Sequence, residues 1–318
     1  MYKYNMKNIN LIDDDIYNLF WKIALPSSVG TVFQNLYSLV DAIFAGRMIS
    51  EIALAAIGQT FPIYFIIIAL GIGLSIATTS IVANSIGEKK VSKASQIFSQ
   101  SLGIAIFVGI MISIFGIYFG PSILKSINSD LETLKLSTDY MNIIYLGSVI
   151  ILLLMVSNSC LAALGDTKSY RNVLIFSFFL NIILNPILIS GEFIGYEIFN
   201  PLGILGIAIA TILSQFIGLL YLLYKISKTE IYNFFKNKYL LPKLKSITEI
   251  SIQGIPASIG LMMIALGSYI LLYFVSYYGN DAIAGFASAG RYEQLLFLPL
   301  LGLSTAVTSI VGQNLGAR

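Results

Sequence analysis

Long apolar stretches separated by short charged segments dominate this chain of 318 residues. Eight stretches of at least 18 residues contain no Lys, Arg, Asp or Glu; they cover residues 23–40, 52–87, 94–124, 140–165, 172–191, 198–224, 250–280 and 294–317. Because a helix of about 20 apolar residues crosses the hydrocarbon core of a bilayer, each stretch predicts one transmembrane helix. The pattern therefore predicts an all-α integral membrane protein with eight spans.

The amino-acid composition excludes several classes of function. The chain is 57% hydrophobic and 11% charged, whereas a soluble domain is about 45–50% apolar and about 25% charged. It has no histidine and one cysteine, Cys160, which excludes a Ser-His-Asp triad, a histidine metal site and an intrachain disulfide. The net charge of +3 is too small to indicate a nucleic-acid partner. We therefore expect no enzymatic activity and a lipid bilayer as the main partner.

The distribution of basic residues predicts the orientation. If the amino terminus is cytoplasmic, the inner segments carry 15 Lys and Arg residues and the outer loops carry three, namely Arg47, Lys125 and Lys135. Cytoplasmic loops carry an excess of Lys and Arg. We therefore expect a multi-pass protein of the cell membrane with both chain ends in the cytoplasm.

The longest inner segment, residues 225–249, is named the basic linker here. It contains six lysines interleaved with aromatic residues: Lys225, Lys228, Lys236, Lys238, Lys243 and Lys245, with Tyr232, Phe234, Phe235 and Tyr239. This pattern fits either a helix that binds anionic lipid or a plain connection. In both cases it separates an amino-terminal lobe of six helices, residues 1–224, from residues 250–318.

An internal repeat relates the two ends of the chain. GLSIATTSIVANSIG at 73–87 matches GLSTAVTSIVGQNLG at 302–316 at nine of fifteen positions, and ALPSSVG at 24–30 resembles GIPASIG at 254–260. Six helices separate the copies, so they cross the membrane in the same direction and their axis stands along the membrane normal. A six-helix repeat implies twelve helices, so we expect a complete first lobe and the first two helices of a second in a truncated chain. A genuine eight-helix protein is the alternative.

One acidic residue, Asp41, lies within a polar stripe of the first span. Gln34, Tyr37 and Ser38 precede it by seven, four and three residues, spacings that place all four on one helix face. An ionisable group at membrane depth is costly and tends to face a cavity or a partner. Pro26 lies in the same span and favours a bend there. An interfacial acid paired with Arg47 is the alternative for Asp41.

The fifth and sixth spans each carry a polar face as well. Its members are Ser177, Asn181 and Asn185 in the fifth and Thr211, Ser214 and Gln215 in the sixth. At 1.5 Å per residue, Asp41 lies roughly 28 Å from its inner anchor, and Asn185 and Thr211 lie about 21 Å from theirs. This agreement in depth predicts one polar pocket in the outer half of the membrane. Polar contacts between packed helices are the alternative, and Arg291 and Glu293 are interpreted as structural.

Five segments closely resemble the multidrug and toxic compound extrusion (MATE) family, in its DinF-like and MepA-like bacterial branch. They are ALPSSVGTVFQNLYSLVDAIFAGRM, ALGIGLSIATTSIVANSIGE, LAALGDTKSY, LNIILNPILI and GILGIAIATILSQ. The resemblance implies parallel six-helix lobes and export of organic cations and other amphipathic toxins in exchange for H⁺ or Na⁺. By position, Pro26 resembles the proline at which the family's first helix bends, and Asp41 resembles its ion-coupling acid. Cavity positions are matched by Tyr37, Asn158, Asn181, Thr211 and Gln215.

One departure from the family pattern concerns Asn185, which stands where this branch commonly has a second Asp. The sequence reads NPIL rather than DPIL, so Asp41 is the one acid expected in the pocket. We expect a monomeric antiporter in which Asp41 binds H⁺ or Na⁺ and no other cofactor is needed. A flippase for lipid-linked precursors is one alternative, but it requires a strongly cationic cavity. A non-transporting membrane scaffold or an inactive truncated remnant is another.

Overall fold

A computed structural model describes residues 10–127, 130–193, 196–241, 243–277, 289, 300 and 302–317. The helices are α1 (Ile16–Phe44), α2 (Glu51–Gly87), α3 (Val91–Ile127), α4 (Leu131–Ala163), α5 (Lys168–Ser190), α6 (Ile204–Ile226), the short α7 (Glu230–Asn233) and α8 (Leu244–Ser276). A π-turn, Ala45–Ile49, follows α1, and a 3-10 turn, Asn237–Tyr239, precedes α8. Two short strands, β1 (Glu192–Phe193) and β2 (Tyr196–Glu197), pair in antiparallel fashion before α6. Residues 302–317 are also helical.

Six helices of the described chain are long and apolar enough to cross a membrane: α2, α3, α4, α5, α6 and α8. They correspond to the second to seventh predicted spans, so a multi-pass, all-α membrane protein is confirmed. The first predicted span lies in α1, which is 29 residues long but less apolar because of its polar stripe. Most of the eighth span's first half, together with Arg291 and Glu293, lies outside the described residues.

The helix ends differ from the predicted boundaries where polar residues continue a helix. α8 begins at Leu244, so the basic linker includes its first turn, whereas the apolar run begins at Ile250. α6 begins only at Ile204, after the hairpin and Gly203, which adopts a positive φ of 53°. Charge-free runs mark the part of a helix that lies in lipid, while helices continue into water wherever the backbone can be capped.

Side-chain caps fix the amino-terminal ends of several helices. The Asp15 carboxylate accepts from the backbone N–H of Asn18 at 3.0 Å. Asp130, before α4, accepts from the hydroxyl and the backbone N–H of Thr133 at 2.6 and 2.8 Å. These bonds lower the pKa of Asp130 below its usual range, because they favour the ionised carboxylate. Each cap satisfies a backbone donor that the helix leaves unpaired.

The first six long helices pack into one bundle. α1 packs on α5, α5 on α6, α6 on α4, and α4 on both α2 and α3. One apolar cluster fills the bundle around Phe98, Leu152 and Leu161, and a second lies around Met141, Ile144 and Ile207. α8 packs mainly on α2, and its residue Ile250 belongs to the first of these clusters. Residues from α1, α4, α5 and α6 therefore face a shared interior.

The two copies of the repeat pack against each other in a symmetric way. A Cβ atom added to Gly87 would overlap the backbone carbonyl of Gln313, and one added to Gly316 would overlap the backbone carbonyl of Asn84. In the repeat, Gly87 is equivalent to Gly316 and Asn84 to Gln313. Exchanging equivalent residues thus reproduces the contact, as a two-fold axis requires. The glycines let the two backbones approach closely.

The axis passes near Gly312, whose repeat equivalent is Ala83. A Cβ atom on Gly312 would lie 2.8 Å from that of Ala83, so at least one of these two equivalent positions must lack a side chain. Hydrogen bonds join the segment 302–317 to the first lobe at the same end: Gln313 Nε2 donates to the Ala163 carbonyl at 2.6 Å, and Asn314 Nδ2 to the Leu11 carbonyl at 2.7 Å. We name this contact between α2 and the segment 302–317 the repeat seam.

Candidate functional site

The carboxylate of Asp41 is the centre of a hydrogen-bond network between three helices. Its side chain is 4% exposed near the end of α1. Asn185 Nδ2, on α5, donates to Asp41 Oδ1 at 2.9 Å, and Thr211 Oγ1, on α6, donates to Asp41 Oδ2 at 2.9 Å. Asn185 Nδ2 also donates to Asn181 Oδ1 at 2.9 Å. Polar residues from three separate predicted stripes therefore meet at one point.

Asp41 interacts here with neutral groups rather than with a cation. In the part of the chain that the structure describes, the salt bridges join Glu88 to Lys90 and Lys93. Arg47 is exposed to solvent. The alternative of an interfacial Asp41 paired with Arg47 is therefore wrong, because Asp41 is buried inside the bundle. A buried carboxylate without a cationic partner is expensive in its ionised form.

Several buried polar atoms around this network have no hydrogen-bond partner among the described residues. They are Tyr37 Oη, Asn181 Nδ2, Asn185 Oδ1, Ser214 Oγ and Gln215 Oε1. Buried polar groups are nearly always hydrogen-bonded in folded proteins. These unpaired atoms make the surroundings of Asp41 a candidate site for a small polar ligand or ion.

The donor set fits a proton or a monovalent hard cation. Asp41 supplies a carboxylate, and Asn185 Oδ1 is an amide oxygen without a hydrogen-bond partner among the described residues. Oxygen ligands suit hard cations. One carboxylate balances the charge of one Na⁺ ion or accepts one proton.

Two tyrosines that the sequence patterns did not single out also lie near Asp41. The hydroxyls of Tyr64 on α2 and Tyr140 on α4 are within electrostatic range of the Asp41 carboxylate. The Gln215 side chain lies beside the Tyr64 hydroxyl. Neither tyrosine belongs to a polar stripe. The sequence marks each of them only as a single hydroxyl within an apolar run, which does not identify a site residue.

Other predicted residues lie apart from this network. Gln34 and Asn158 are partly buried, and no hydrogen bond in the described part of the chain joins either of them to Asp41. Ser38 is exposed, so the stripe on α1 narrows to Tyr37 and Asp41 in the interior. Pro26 is buried within α1, which continues as one helix past it. A bend at Pro26 stays a prediction.

Comparisons with known proteins point to the same architecture. The MatE family model matches residues 26–187 and 256–318. The probable multidrug resistance protein YoeA of Bacillus subtilis is 26% identical, over 92% of this chain and 63% of its own length. The probable multidrug resistance protein NorM of Thermotoga maritima is 30% identical, over 93% of this chain and 62% of its own. This chain thus spans less than two thirds of either relative.

A solved structure shows the fold directly. It is described as the outward-facing conformation of a multidrug resistance MATE family transporter of the MOP superfamily. It superposes with a TM-score of 0.85 at 28% identity, over 97% of this chain and 67% of that chain. The described helices therefore follow the order and packing of that transporter through most of this sequence.

Proposed function

Since this chain belongs to the MatE family of multidrug efflux transporters, we propose that it is a secondary active antiporter that exports amphipathic or cationic compounds in exchange for H⁺ or Na⁺. The family consists of transporters, so the expectation that the chain is not an enzyme is confirmed. We further propose that it acts as a monomer in the cell membrane with its amino terminus in the cytoplasm. The antiport mechanism, the substrate class and the coupling ion belong to this proposal.

The observation that carries the proposal is the bonding of Asp41. Its two carboxylate oxygens accept from Asn185 on α5 and Thr211 on α6, and no described residue neutralises its charge. Binding a proton or a Na⁺ ion changes the charge at this point. An ion therefore alters the contacts that hold α1 against α5 and α6.

The change at Asp41 is proposed to be coupled to cargo through α1. Tyr37 lies one turn before Asp41, and its hydroxyl is buried without a hydrogen-bond partner in the described chain. When an ion binds, α1 bends at Pro26, shifts Tyr37 and weakens cargo binding between α1, α2 and α4. A ligand can shift such an equilibrium only by binding the two states with different affinity. The ion and the cargo would then each favour a different conformation of α1.

Asp41→Asn tests the proposal in the full chain. The asparagine keeps the shape of the side chain but fixes the neutral state, so we expect the compound still to bind while ion-driven efflux is lost. Efflux from cells and compound-induced H⁺ or Na⁺ flux in vesicles are measured side by side. Asp139→Asn, a half-buried acid on α4 outside the network, is the matched control and should keep both activities. If Asp41→Asn kept coupled efflux at the parent level, Asp41 would have a structural role and no role in coupling.

A further inference from the structure

The basic linker is folded against the bundle. Ile231 of α7 is 1% exposed, and Phe235 and Leu240 pack on the same apolar cluster. The hydroxyl of Thr229 donates to the Ile226 carbonyl at 2.7 Å, and α7 packs against α3. The surface that the linker presents is therefore held in place by buried contacts.

The surface of the basic linker that faces away from the bundle carries lysines without carboxylate partners. Lys228, Lys236, Lys238, Lys243 and Lys245 are exposed, and within the described ranges none of them forms a salt bridge. Lys228 lies 5.2 Å from the ring centre of Tyr224, and Lys238 lies 5.4 Å from that of Tyr239. Against these five exposed lysines the linker has two acidic residues, Glu230 and Glu249. An excess of positive charge is thus available to an external anion.

Large apolar side chains stand exposed among these lysines. Leu241 and Leu244 are each 79% exposed, Tyr232 is 52% exposed and Phe234 is 44% exposed. Leu244 lies between Lys243 and Lys245 in sequence. Exposed apolar groups beside lysines are typical of segments at the membrane interface. There the apolar side chains enter the headgroup layer and the lysine amines reach the lipid phosphates.

We propose that the basic linker is a docking surface for the headgroups of anionic phospholipids. The lysines bind the lipid phosphates, while Leu241, Leu244 and Tyr232 lie at the boundary between headgroups and acyl chains. Free phosphate would satisfy the lysines but leave these apolar side chains in water, so the combined surface fits a lipid. A lysine near a membrane surface contributes about a fivefold preference for anionic lipid.

The test places a fluorescent reporter on the linker of the full chain. Trp21 is the one tryptophan of the sequence, so Leu241→Trp combined with Trp21→Phe gives a single reporter. The protein is reconstituted into vesicles of phosphatidylcholine and phosphatidylglycerol in which either lipid carries bromine, which quenches tryptophan. We expect stronger quenching by brominated phosphatidylglycerol than by an equal fraction of brominated phosphatidylcholine. Raised NaCl should weaken the difference, because salt screens exposed charges.

Two charge variants of the reporter protein identify the surface responsible. Changing Lys236, Lys238, Lys243 and Lys245 to Gln should abolish the preference for phosphatidylglycerol. Changing Lys89, Lys90 and Lys93 to Gln, on the turn between α2 and α3 and in the first turn of α3, should leave it intact. Thermal unfolding and size-exclusion chromatography check that each variant is folded.

Three results would overturn the proposal. Equal quenching by both lipids in the parent would make the linker a plain connection. If both charge variants lost the preference for phosphatidylglycerol equally, the lipid would be attracted by the whole charged face of the protein rather than by the linker. Loss of the preference on adding inorganic phosphate, at constant ionic strength, would identify free phosphate as the ligand.

Discussion

At the scale of single residues, the site places one ionisable group among neutral partners. Asp41 accepts from an amide and a hydroxyl, and both donors hold the carboxylate in position without cancelling its charge. A cationic partner such as arginine would fix Asp41 in its ionised form. With neutral donors, the pH and the ion concentration around the protein decide whether the carboxylate is empty or ion-bound, as the proposed ion coupling requires.

The Thr211 hydroxyl is predicted to stabilise the network. Thr211→Val keeps the shape of the side chain but removes the donor to Asp41, and a hydrogen bond to a charged group contributes about 1.5–3 kcal/mol. We expect a lower thermal midpoint in detergent and weaker ion-driven efflux. Thr60→Val is the matched control, since the Thr60 hydroxyl is buried and, among the described residues, donates to the Ile57 carbonyl of its own helix rather than to Asp41. Equal efflux in the two variants would show that the Thr211 hydroxyl plays no part in coupling.

Restoring a second acid is predicted to make stability depend on ions. In Asn185→Asp, a carboxylate oxygen takes the place of an amide nitrogen that lies 2.9 Å from Asp41 Oδ1. Two carboxylates this close need a shared proton or a cation between them. The thermal midpoint should therefore rise on adding Na⁺ or lowering the pH, by at least about 2 °C more than in the parent.

Asn172→Asp, at an exposed position near the amino-terminal end of α5, is the control for this substitution. It adds the same charge to the same helix away from Asp41, so its midpoint should respond to ions as the parent does. A parent-like response in Asn185→Asp as well would mean that the two side chains separate when both carry charge.

The sequence predicted part of this site because helix geometry is local. Spacings of three and four residues place Asn181 beside Asn185, and counting 1.5 Å per residue placed Asp41, Asn185 and Thr211 in the same half of the membrane. Which helices are neighbours depends on packing across the whole bundle. For that reason Tyr64 was not identified. The cavity positions predicted for Gln34 and Asn158 stay predictions, since no hydrogen bond among the described residues joins either of them to Asp41.

At the scale of secondary structure elements, charge-free runs predicted where helices lie in lipid but not where they end. The two ends of α4 illustrate the difference. Asp130 caps it ten residues before the predicted span, whereas α4 ends at Ala163, two residues short of the predicted limit. Capping is decided by one or two polar side chains, and a hydropathy pattern does not contain that information.

Pro26 is the feature of α1 most directly connected to a change of shape. Proline has no backbone N–H, so α1 lacks the bond that residue 26 would donate to the Lys22 carbonyl. Pro26→Ala restores this donor. We expect normal insertion and an equal or higher thermal midpoint, with turnover reduced several-fold because the helix resists bending.

Pro62→Ala provides the comparison for Pro26→Ala. Pro62 also lies inside a long helix, α2, but it is exposed and outside the Asp41 network. Restoring its backbone donor should leave turnover at the parent level. If turnover were equal in both variants and the parent, Pro26 would only shape the resting form of α1.

At the scale of the whole molecule, the repeat connects sequence to architecture. The match between 73–87 and 302–316 predicted two copies with the same direction across the membrane, and the repeat seam places equivalent residues in equivalent contacts. The spacing of the repeat carries no information about which faces meet. The close approach of the two helices at Gly87 and Gly316 was not predicted, because a glycine within a helix does not by itself identify the helix that packs against it.

The repeat seam predicts that Gly87 and Gly316 are equally sensitive to substitution. A methyl group at either position overlaps the backbone carbonyl of the opposite helix, so the helices must move apart at a cost of about 1–3 kcal/mol. Gly87→Ala and Gly316→Ala should therefore lower the thermal midpoint to a similar extent. Gly58→Ala in α2 is the control, since no described atom lies within 4 Å of its added Cβ and alanine favours the helix by up to about 1 kcal/mol.

The double variant distinguishes one shared seam from two independent contacts. Once the first methyl group has separated the helices, the second meets less resistance, so the loss of stability in Gly87→Ala with Gly316→Ala should be smaller than the sum of the single losses. Neighbouring sites of this kind commonly show coupling of about 0.5–3 kcal/mol. Unfolding of the full chain in detergent measures all three variants. Strictly additive losses, or a loss in only one single variant, would show that the two glycines do not act as equivalent halves of a two-fold contact.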